Sequence, residues 1–373
     1  MKKVVHVAES FAAGVYSVIA DLTNSLADEY EVVIIYSLRE QTPKDFKKDF
    51  HQNIRFIRAD MCRGLNPYNN LKAYFNLKKI LKKEKPDIIH LHSSKAGFLG
   101  RLAAYMNSFD MNNVYYNPHG FSFLQLNESK IRRNLYYLLE KLAARFGGTI
   151  VACSKGEYEE ALKLSNKCIY INNGIDLNKI DEIIMKNKLQ RDSYKNNSRI
   201  TIGTTGRICH QKNPSLFNQI AEKFPQYDFV WIGQGELRNQ LISPNIKITG
   251  WLEKQQVMGQ LLKLDIFIMT SLWEGMPLSL LEAMYLKRPV IVSNVIGNKD
   301  VIQNGINGFV SNDLESYVQD INKLITSDTE RERLIEKAFK DVSSEYTKEN
   351  MIKKYKSLYL NKGDIVHEYN NCK

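Results

Sequence analysis

Short runs of β-branched and aromatic residues alternate along the chain with longer stretches whose apolar positions recur every three to four residues. The short runs predict strands at 3–8, 31–36, 54–58, 87–92, 114–117 and 148–152. Amphipathic helices are predicted between them, at 15–27, 68–83, 98–106 and 128–146. A second strand series follows at 199–203, 227–232, 246–249, 265–270, 289–293 and 308–310. The stretch 178–198 is polar, rich in Lys and Asn and poor in sheet formers, which places a domain boundary near 173–197. A last amphipathic helix is expected at 345–360. Strand–helix alternation of this kind implies parallel sheets with helices on both faces. The expected architecture is two doubly wound, Rossmann-like α/β domains, 1–175 and 176–344. Such sheets bind ligands at the carboxyl ends of their strands, and two such edges are expected to face one central cleft.

Composition narrows the class without naming the chemistry. The 373 residues are 43% hydrophobic and 25% charged, as in globular proteins. Five cysteines (Cys62, Cys153, Cys168, Cys209, Cys372) are scattered without CxxC spacing, as in a reduced cytosolic chain. The opening segment imitates a signal peptide, but His6 and Glu9 interrupt it and a first strand fits better. No stretch approaches the roughly 18 apolar residues of a membrane span, so the chain is expected to be soluble or to lie on a membrane. Lys plus Arg is 52 and Asp plus Glu 41, a net charge of +11. That excess is compatible with nucleic acid, an anionic membrane or a phosphate-bearing substrate.

Candidate chemistry sits where strands end. Trp273-Glu274-Gly275-Met276-Pro277-Leu278 follows the strongest apolar strand of the second half and leads into a helix carrying Glu282. Gly275 is expected to mark the turn and Pro277 to lie near the helix's first position, where free N–H groups and the helix dipole attract an anion. Glu274 at the turn suits sugar hydroxyls and Glu282 a ribose diol, although capping or solvent roles would use the same residues. Gly206-Arg207, with Lys212-Asn213-Pro214, places a planar fork and a point charge five residues apart, a pair suited to a diphosphate. Gly233-Gln234-Gly235 ends another strand in a tight turn, a weak signal by itself.

In the first half, loops carrying Ser10–Gly14, His92–Gly97 and Asn117–Phe121 follow predicted strands. His119 is the best side-chain candidate there, against the rival reading of a buried, satisfied histidine. His90 and His92 are read as lying on opposite faces of their strand, which would prevent a shared metal; His90 is assigned to the core. GxSxG, HExxH and P-loop patterns are absent, and no Asp-x-Asp pair suits a metal–diphosphate clamp. Arg207, Lys212 and helix N-termini would have to hold a diphosphate instead.

Together, Glu274 and Glu282 in EGMPLSLLEAM, Gly206-Arg207 with Lys212-Asn213, the Gly233-Gln234-Gly235 turn, and Cys153-Ser154-Lys155 leading to Asn172-Asn173-Gly174-Ile175-Asp176 resemble the retaining family-4 glycosyltransferases of the GT-B fold. The resemblance spans residues 3 to about 360. It implies a nucleotide-diphosphate sugar as substrate, with no cofactor or metal. Arg207 and Lys212 would hold the diphosphate, Glu282 the ribose, and Glu274 with the backbone of Gly275, Met276, Pro277 and Leu278 the sugar and phosphates. Gly206, Gly233 and Gly235 would belong to the donor site. Gly14 would let the first loop approach the diphosphate, and Ala13 departs from the paired glycines common there. His119 would sit beside the transferred sugar, while His92 and Lys95 are acceptor-side candidates. The segment 345–373 would pack back on the first domain. The run His92–Arg101 is similar to bacterial capsule and O-antigen enzymes, implying a UDP-linked donor, an N-acetylhexosamine among the options, and a lipid-diphosphate-linked saccharide acceptor.

Charge then separates the partners. Through Tyr170 the chain carries 25 Lys/Arg against 17 Asp/Glu, so +8 of the +11 lies in the first half. Two patches dominate, Lys72, Lys78, Lys79, Lys82, Lys83 and Lys85 with Tyr74 and Phe75, and Lys130, Arg132, Arg133, Lys141 and Arg145 with Tyr136 and Tyr137. These suggest peripheral association with the cytoplasmic face of an anionic membrane, or simply two solvated faces. No nucleic-acid recognition motif accompanies them. The alternatives are a sugar-nucleotide epimerase or a transferase using a soluble acceptor on this fold, or a non-catalytic two-domain binding protein.

Overall fold

A computed structural model describes residues 1–61, 64, 66–191 and 199–360. The chain divides into two compact units. The first comprises Met1–Leu124, Glu128–Asn173 and the chain from Glu349 onward; the second comprises Gln125–Asn127 and Gly174–Lys348.

The first unit contains β1 (Lys2–Ala8), β2 (Tyr30–Tyr36), β3 (Arg55–Arg58), β4 (Ile88–His92), β5 (Val114–Asn117), β6 (Thr149–Ala152) and β7 (Cys168–Tyr170). They form one parallel sheet in the order β3-β2-β1-β4-β5-β6-β7. Every residue of β4 is buried, as expected of a strand covered on both faces. The order reverses between β1 and β4, so the loops leaving those strands border the sheet's natural ligand crevice. β7 escapes the sequence reading because three residues containing a cysteine carry almost no periodic signal.

The second unit contains β8 (Thr201–Thr205), β9 (Asp228–Ile232), β10 (Ile246–Ile248), β11 (Ile266–Met269), β12 (Val290–Ser293) and β13 (Phe309–Ser311). Its order, β10-β9-β8-β11-β12-β13, reverses between β8 and β11. The turns after these two strands hold Arg207 and Lys212, and Glu274, respectively. Both sheets are doubly wound.

Two boundaries differ from the sequence reading. Much of the polar stretch expected to separate the units folds as a helix, Leu177–Arg191, within the second unit; 192–198 lie outside the described residues. Its Ile180 and Ile183 are buried, an apolar contact too sparse to dominate the polar composition. The final helix starts three residues later than expected, running Lys348–Leu360 after a separate helix that ends at Glu345. Between them the chain crosses Ile175, whose N–H donates to Tyr346 O at 2.9 Å and whose carbonyl accepts from Lys348 N at 2.9 Å. A Cβ on Gly174 would lie 2.1 Å from Thr347 O, so glycine is required for that crossing. The following helix packs into the first unit through buried Tyr355 and Tyr359. Residues 361–373, the remainder of the segment expected there, lie outside the described residues.

Candidate active site

In the second unit, Lys212 and Glu274 meet although 62 residues separate them. Lys212 Nζ lies 2.7 Å from Glu274 Oε1, and both side chains are largely buried. Gln211 ties the two turns together: its Nε2 donates to Trp273 O at 3.0 Å and to Glu274 Oε2 at 3.3 Å. Its carbonyl accepts from Leu272 N at 2.8 Å, and Thr270 Oγ1 donates to Lys212 O at 2.7 Å. The ends of two adjacent strands therefore present a cation and a carboxylate on one braced surface.

Arg207 lies in the first of these turns and pairs with Glu236 at 3.0 Å. Glu282 is buried and pairs with Lys254. Helix Leu278–Tyr285 begins after Pro277, which is its N-cap and not its first residue. The backbone of Gly275, Met276, Pro277 and Leu278 thus leads into that helix's positive end.

The glycines have a more specific role than loop flexibility. A Cβ on Gly233 (φ 144°) would lie 2.2 Å from Gly206 O, and one on Gly235 2.2 Å from Ile208 O. Gly206 itself has φ 141°, where a Cβ would crowd the Lys212 stem at 3.1 Å. These residues allow the loops after β8 and β9 to pack together and so to aim Arg207 and Lys212.

In the first unit the histidines converge. His90 and His92 share a strand face, contrary to the sequence expectation, because side chains two apart on a strand point the same way. Their rings stack at 4.4 Å. Opposite them on β1, His6 pairs in register with His90. His6 Nδ1 lies 3.0 Å from His92 Nε2, and His92 Nδ1 lies 3.0 Å from His119 Nε2. His90 is bonded to Asn117 Oδ1 and to the Tyr359 hydroxyl, and Asn117 Nδ2 donates to Tyr355 at 2.8 Å. His6, His90 and His92 bring ligand atoms within 4.8 Å of one another, a spacing a metal can use, but neighbouring side chains engage nitrogens on all three. Burial is the main force keeping the rings neutral. It lowers His6 and His92 well below the usual histidine range, His90 to about 4 and His119 to about 3.

The same edge holds unusual backbone. Ala13 (φ 50°), Ser93 (φ 71°) and His119 (φ 54°) occupy left-handed φ values in the loops after β1, β4 and β5. Ser93, with ψ 158°, lies in a region that is essentially glycine-only. Its N–H donates to Asn117 O at 2.9 Å and its hydroxyl to Glu9 Oε2 at 3.3 Å, and Glu9 pairs with Arg39. The position needing glycine after β1 is thus 13, which here is alanine. Gly14 has a negative φ and open space where a Cβ would stand. Lys95 Nζ donates to Gly64 O at 2.6 Å.

Comparison with known proteins agrees with this layout. Residues 12–179 match the family described as Glycosyltransferase Family 4, and residues 185–341 match Glycosyl transferases group 1. The UDP-Gal:alpha-D-GlcNAc-diphosphoundecaprenol alpha-1,3-galactosyltransferase of Escherichia coli is 33% identical over 290 residues, 70% of this chain and 72% of that one. The chain is a family-4 glycosyltransferase. The Staphylococcus aureus capsular polysaccharide biosynthesis glycosyltransferase CapM is 26% identical to this transferase over 80% of its chain and 83% of CapM. The GT-B fold is shared with Anabaena HepE, solved with UDP and glucose (TM-score 0.75, 16% identity, 96% of this chain and 99% of that one). It is shared also with sucrose-phosphate synthase of Thermosynechococcus elongatus (TM-score 0.80, 14% identity, 96% and 98%).

Several residues of the candidate site escape sequence reasoning. Glu236, Lys254 and Gln211 are identified only by the side chains they touch. Glu157 carried a usable signal, since Ser154-x-x-Glu157 has the spacing of a capping box. Its carboxylate accepts from Cys153 N at 2.7 Å and from Gly120 N at 2.6 Å, holding the His119 loop. Glu236 has a testable consequence if Arg207 turns from it to bind a diphosphate, the role that the resemblance implies. Glu236→Gln is expected to lower the donor KM about two- to threefold, since a partly exposed pair is worth only about 0.5 kcal/mol. Steady-state kinetics with varied donor measures this, and an unchanged or raised KM would mean that Arg207 does not leave Glu236 to bind the donor.

Proposed function

We propose that this transferase is a retaining, metal-independent enzyme of bacterial surface-polysaccharide assembly, moving a sugar from a UDP-linked donor to a lipid-diphosphate-linked saccharide. The braced Lys212–Glu274 pair at the switch point of the second sheet is the observation that carries the donor half. Arg207 and Lys212 take the diphosphate, Glu282 the ribose, and Glu274 with the Gly275–Leu278 backbone the sugar and phosphates. Gly206, Gly233 and Gly235 shape the donor loops; Gly14 belongs to the first unit's loop, with Lys95 on the acceptor side and His119 touching the sugar, whereas His92, expected beside the acceptor, is buried with both ring nitrogens engaged by His6 and His119 and does not reach it. The acceptor hydroxyl forms its bond to the anomeric carbon as the bond to the diphosphate oxygen breaks. The departing phosphate takes the hydroxyl proton, and Arg207 and Lys212 compensate its charge.

The names of relatives support the substrate class. The E. coli relative is a galactosyltransferase acting on a GlcNAc-diphosphoundecaprenol. A Campylobacter jejuni relative, 23% identical over 93% of this chain and 96% of its own, is an N,N'-diacetylbacillosaminyl-diphospho-undecaprenol alpha-1,3-N-acetylgalactosaminyltransferase. UDP-galactose and UDP-N-acetylhexosamines should therefore be assayed with undecaprenyl-diphosphate-linked GlcNAc in the presence of EDTA. Transfer with retained anomeric configuration is expected. Transfer only to a soluble sugar, or only with added metal, would overturn the corresponding part of the proposal.

We place the enzyme at the cytoplasmic membrane face through helix Lys130–Ala144. Ile131 (83% exposed), Leu135, Leu138 (61% exposed) and Leu142 form one solvent-facing stripe, with Lys130, Arg132, Lys141 and Arg145 also exposed. Tyr136 and Tyr137, expected on that patch, instead pack partly against the core. The second basic helix, Pro67–Glu84, exposes Tyr68, Leu71 and Phe75 while Tyr74 is buried. None of the described helices is long and apolar enough to cross a membrane. Insertion of two leucines is worth about 1.5 kcal/mol each or more. Leu135→Glu/Leu138→Glu is therefore expected to weaken binding to phosphatidylglycerol vesicles at least tenfold with unchanged circular dichroism. Equal sedimentation of both proteins would remove this surface from the proposal.

A further inference from the structure

Between β1 and the His119 loop runs a chain of three imidazoles, His6–His92–His119, joined by two nitrogen–nitrogen contacts of 3.0 Å. A neutral imidazole carries one N–H and one bare nitrogen, so each contact needs a donor on one ring and an acceptor on the other. Once the proton on His6 is placed, every proton along the chain follows. His6 and His92 are completely buried, whereas His119 is partly exposed.

The buried end sets the direction. Among the described residues, His6 Nε2 has no hydrogen-bond partner. If the chain ran from His119 toward His6, that nitrogen would carry an N–H buried without an acceptor, a rare arrangement in folded proteins. Run the other way, His6 Nδ1–H donates to His92 Nε2 and His92 Nδ1–H donates to His119 Nε2. His6 then buries only a bare nitrogen, and His119 keeps its proton on Nδ1. His90 stands outside the relay because Asn117 and Tyr359 engage both its nitrogens.

We propose that His6 and His92 are positioning residues that fix His119 in the Nδ1–H tautomer, so that its free nitrogen donates to a substrate oxygen and cannot withdraw a proton. The polar function of His119 is thereby specified from β1, through residues that touch no substrate. This deepens the reading of His119 as the residue touching the sugar and rests on it for its chemical consequence. The left-handed backbone at His119 and the Glu157 carboxylate bound to Gly120 N hold the ring where the relay ends.

The tautomer can be read without substrate or turnover. In the 15N-histidine-labelled full chain near pH 7.5, long-range 1H–15N correlation, assigned by loss of signals in His119→Gln, should show His119 protonated on Nδ1. His92→Asn, which keeps an amide donor near the Nδ1 position, should retain that state and most of kcat. His92→Phe, which keeps a ring but no donor, should shift His119 toward Nε2–H and lower kcat about tenfold with little change in donor KM. A wild-type His119 protonated on Nε2 overturns the proposal, whatever the variants do. So does an unchanged tautomer in folded His92→Phe. If the tautomer is as stated but His119→Gln turns over normally, the relay stands and the assignment of His119 to the sugar falls.

Discussion

Lys212→Ala should lower kcat/KM for the nucleotide-sugar donor about a thousandfold while leaving the fold in place. Removing one preorganised charge donor from a developing anion typically costs a hundred- to a thousandfold. Lys212 stands at the upper end because its neighbours leave it little alternative geometry. Its backbone carbonyl is held by Thr270, its stem lies beside Gly206, and its ammonium is directed at Glu274. The substitution also leaves Glu274 buried with, among the described residues, only Gln211 donating to its side chain. An uncompensated buried charge costs about 3 kcal/mol or more of stability, so any loss of folded protein must be separated from the loss of catalysis. Lys212→Ala/Glu274→Gln separates the two effects. Its melting temperature should recover toward wild type, because no bare carboxylate remains, while its turnover stays low. Turnover close to wild type in Lys212→Ala would refute the diphosphate role directly.

The loops after β8 and β11 were legible because their signals are local. Arg207 follows Gly206, Glu274 precedes Gly275 and Lys212 lies two residues before Pro214, each beyond a strand end, while Glu282 sits within the helix that Pro277 caps; the fold has only to bring two such turns to adjacent strands. The strand alternation is likewise local and predicts both sheets except β7, whose Cys168-Ile169-Tyr170 carries a weaker sheet-forming signal than the equally short β10 and β13. Contacts made across the sheet left no such trace. Glu236, Lys254 and Gln211 are ordinary polar residues until the loops close on Arg207, Glu282 and Glu274. The histidine cluster was misread for a different reason: His90 and His92, two positions apart on a strand, were assigned to opposite faces, although the period of two puts them together. In the sequence His6 speaks only against a signal peptide, while its strand places it in register with His90. Alanine at position 13 was visible as a departure from the family. The φ of 50° explains why glycine suits that position, since only glycine adopts it freely.

Acid should unfold the first unit earlier than its carboxylates require. An unfolded histidine takes a proton near pH 6.5, but burial holds His90 neutral down to about 4 and His119 to about 3, and lowers His6 and His92 strongly as well. Below pH 6.5 the unfolded chain therefore binds protons that the folded chain refuses, and stability falls with pH. Above about pH 7.5 both states are neutral and this contribution is flat. It continues to fall until the folded rings themselves titrate, near pH 4 for His90. Each ring held neutral contributes a slope approaching about 1.4 kcal/mol per pH unit, so four of them remove on the order of 4 kcal/mol between pH 6.5 and 5.5. That is a large share of a domain's usual 5–15 kcal/mol. Denaturant unfolding followed at fixed ionic strength from pH 8 to 5 measures the slope. His6→Phe, which fills the same buried space without a titrating group, should reduce it by about one proton. A flat profile down to pH 5, where carboxylates begin to take over, would mean that the cluster opens to water or accepts charge. In that case the rings would titrate near the ordinary histidine value of about 6.5, and the neutral relay, with the neutral His119 it sustains, would hold only above that pH.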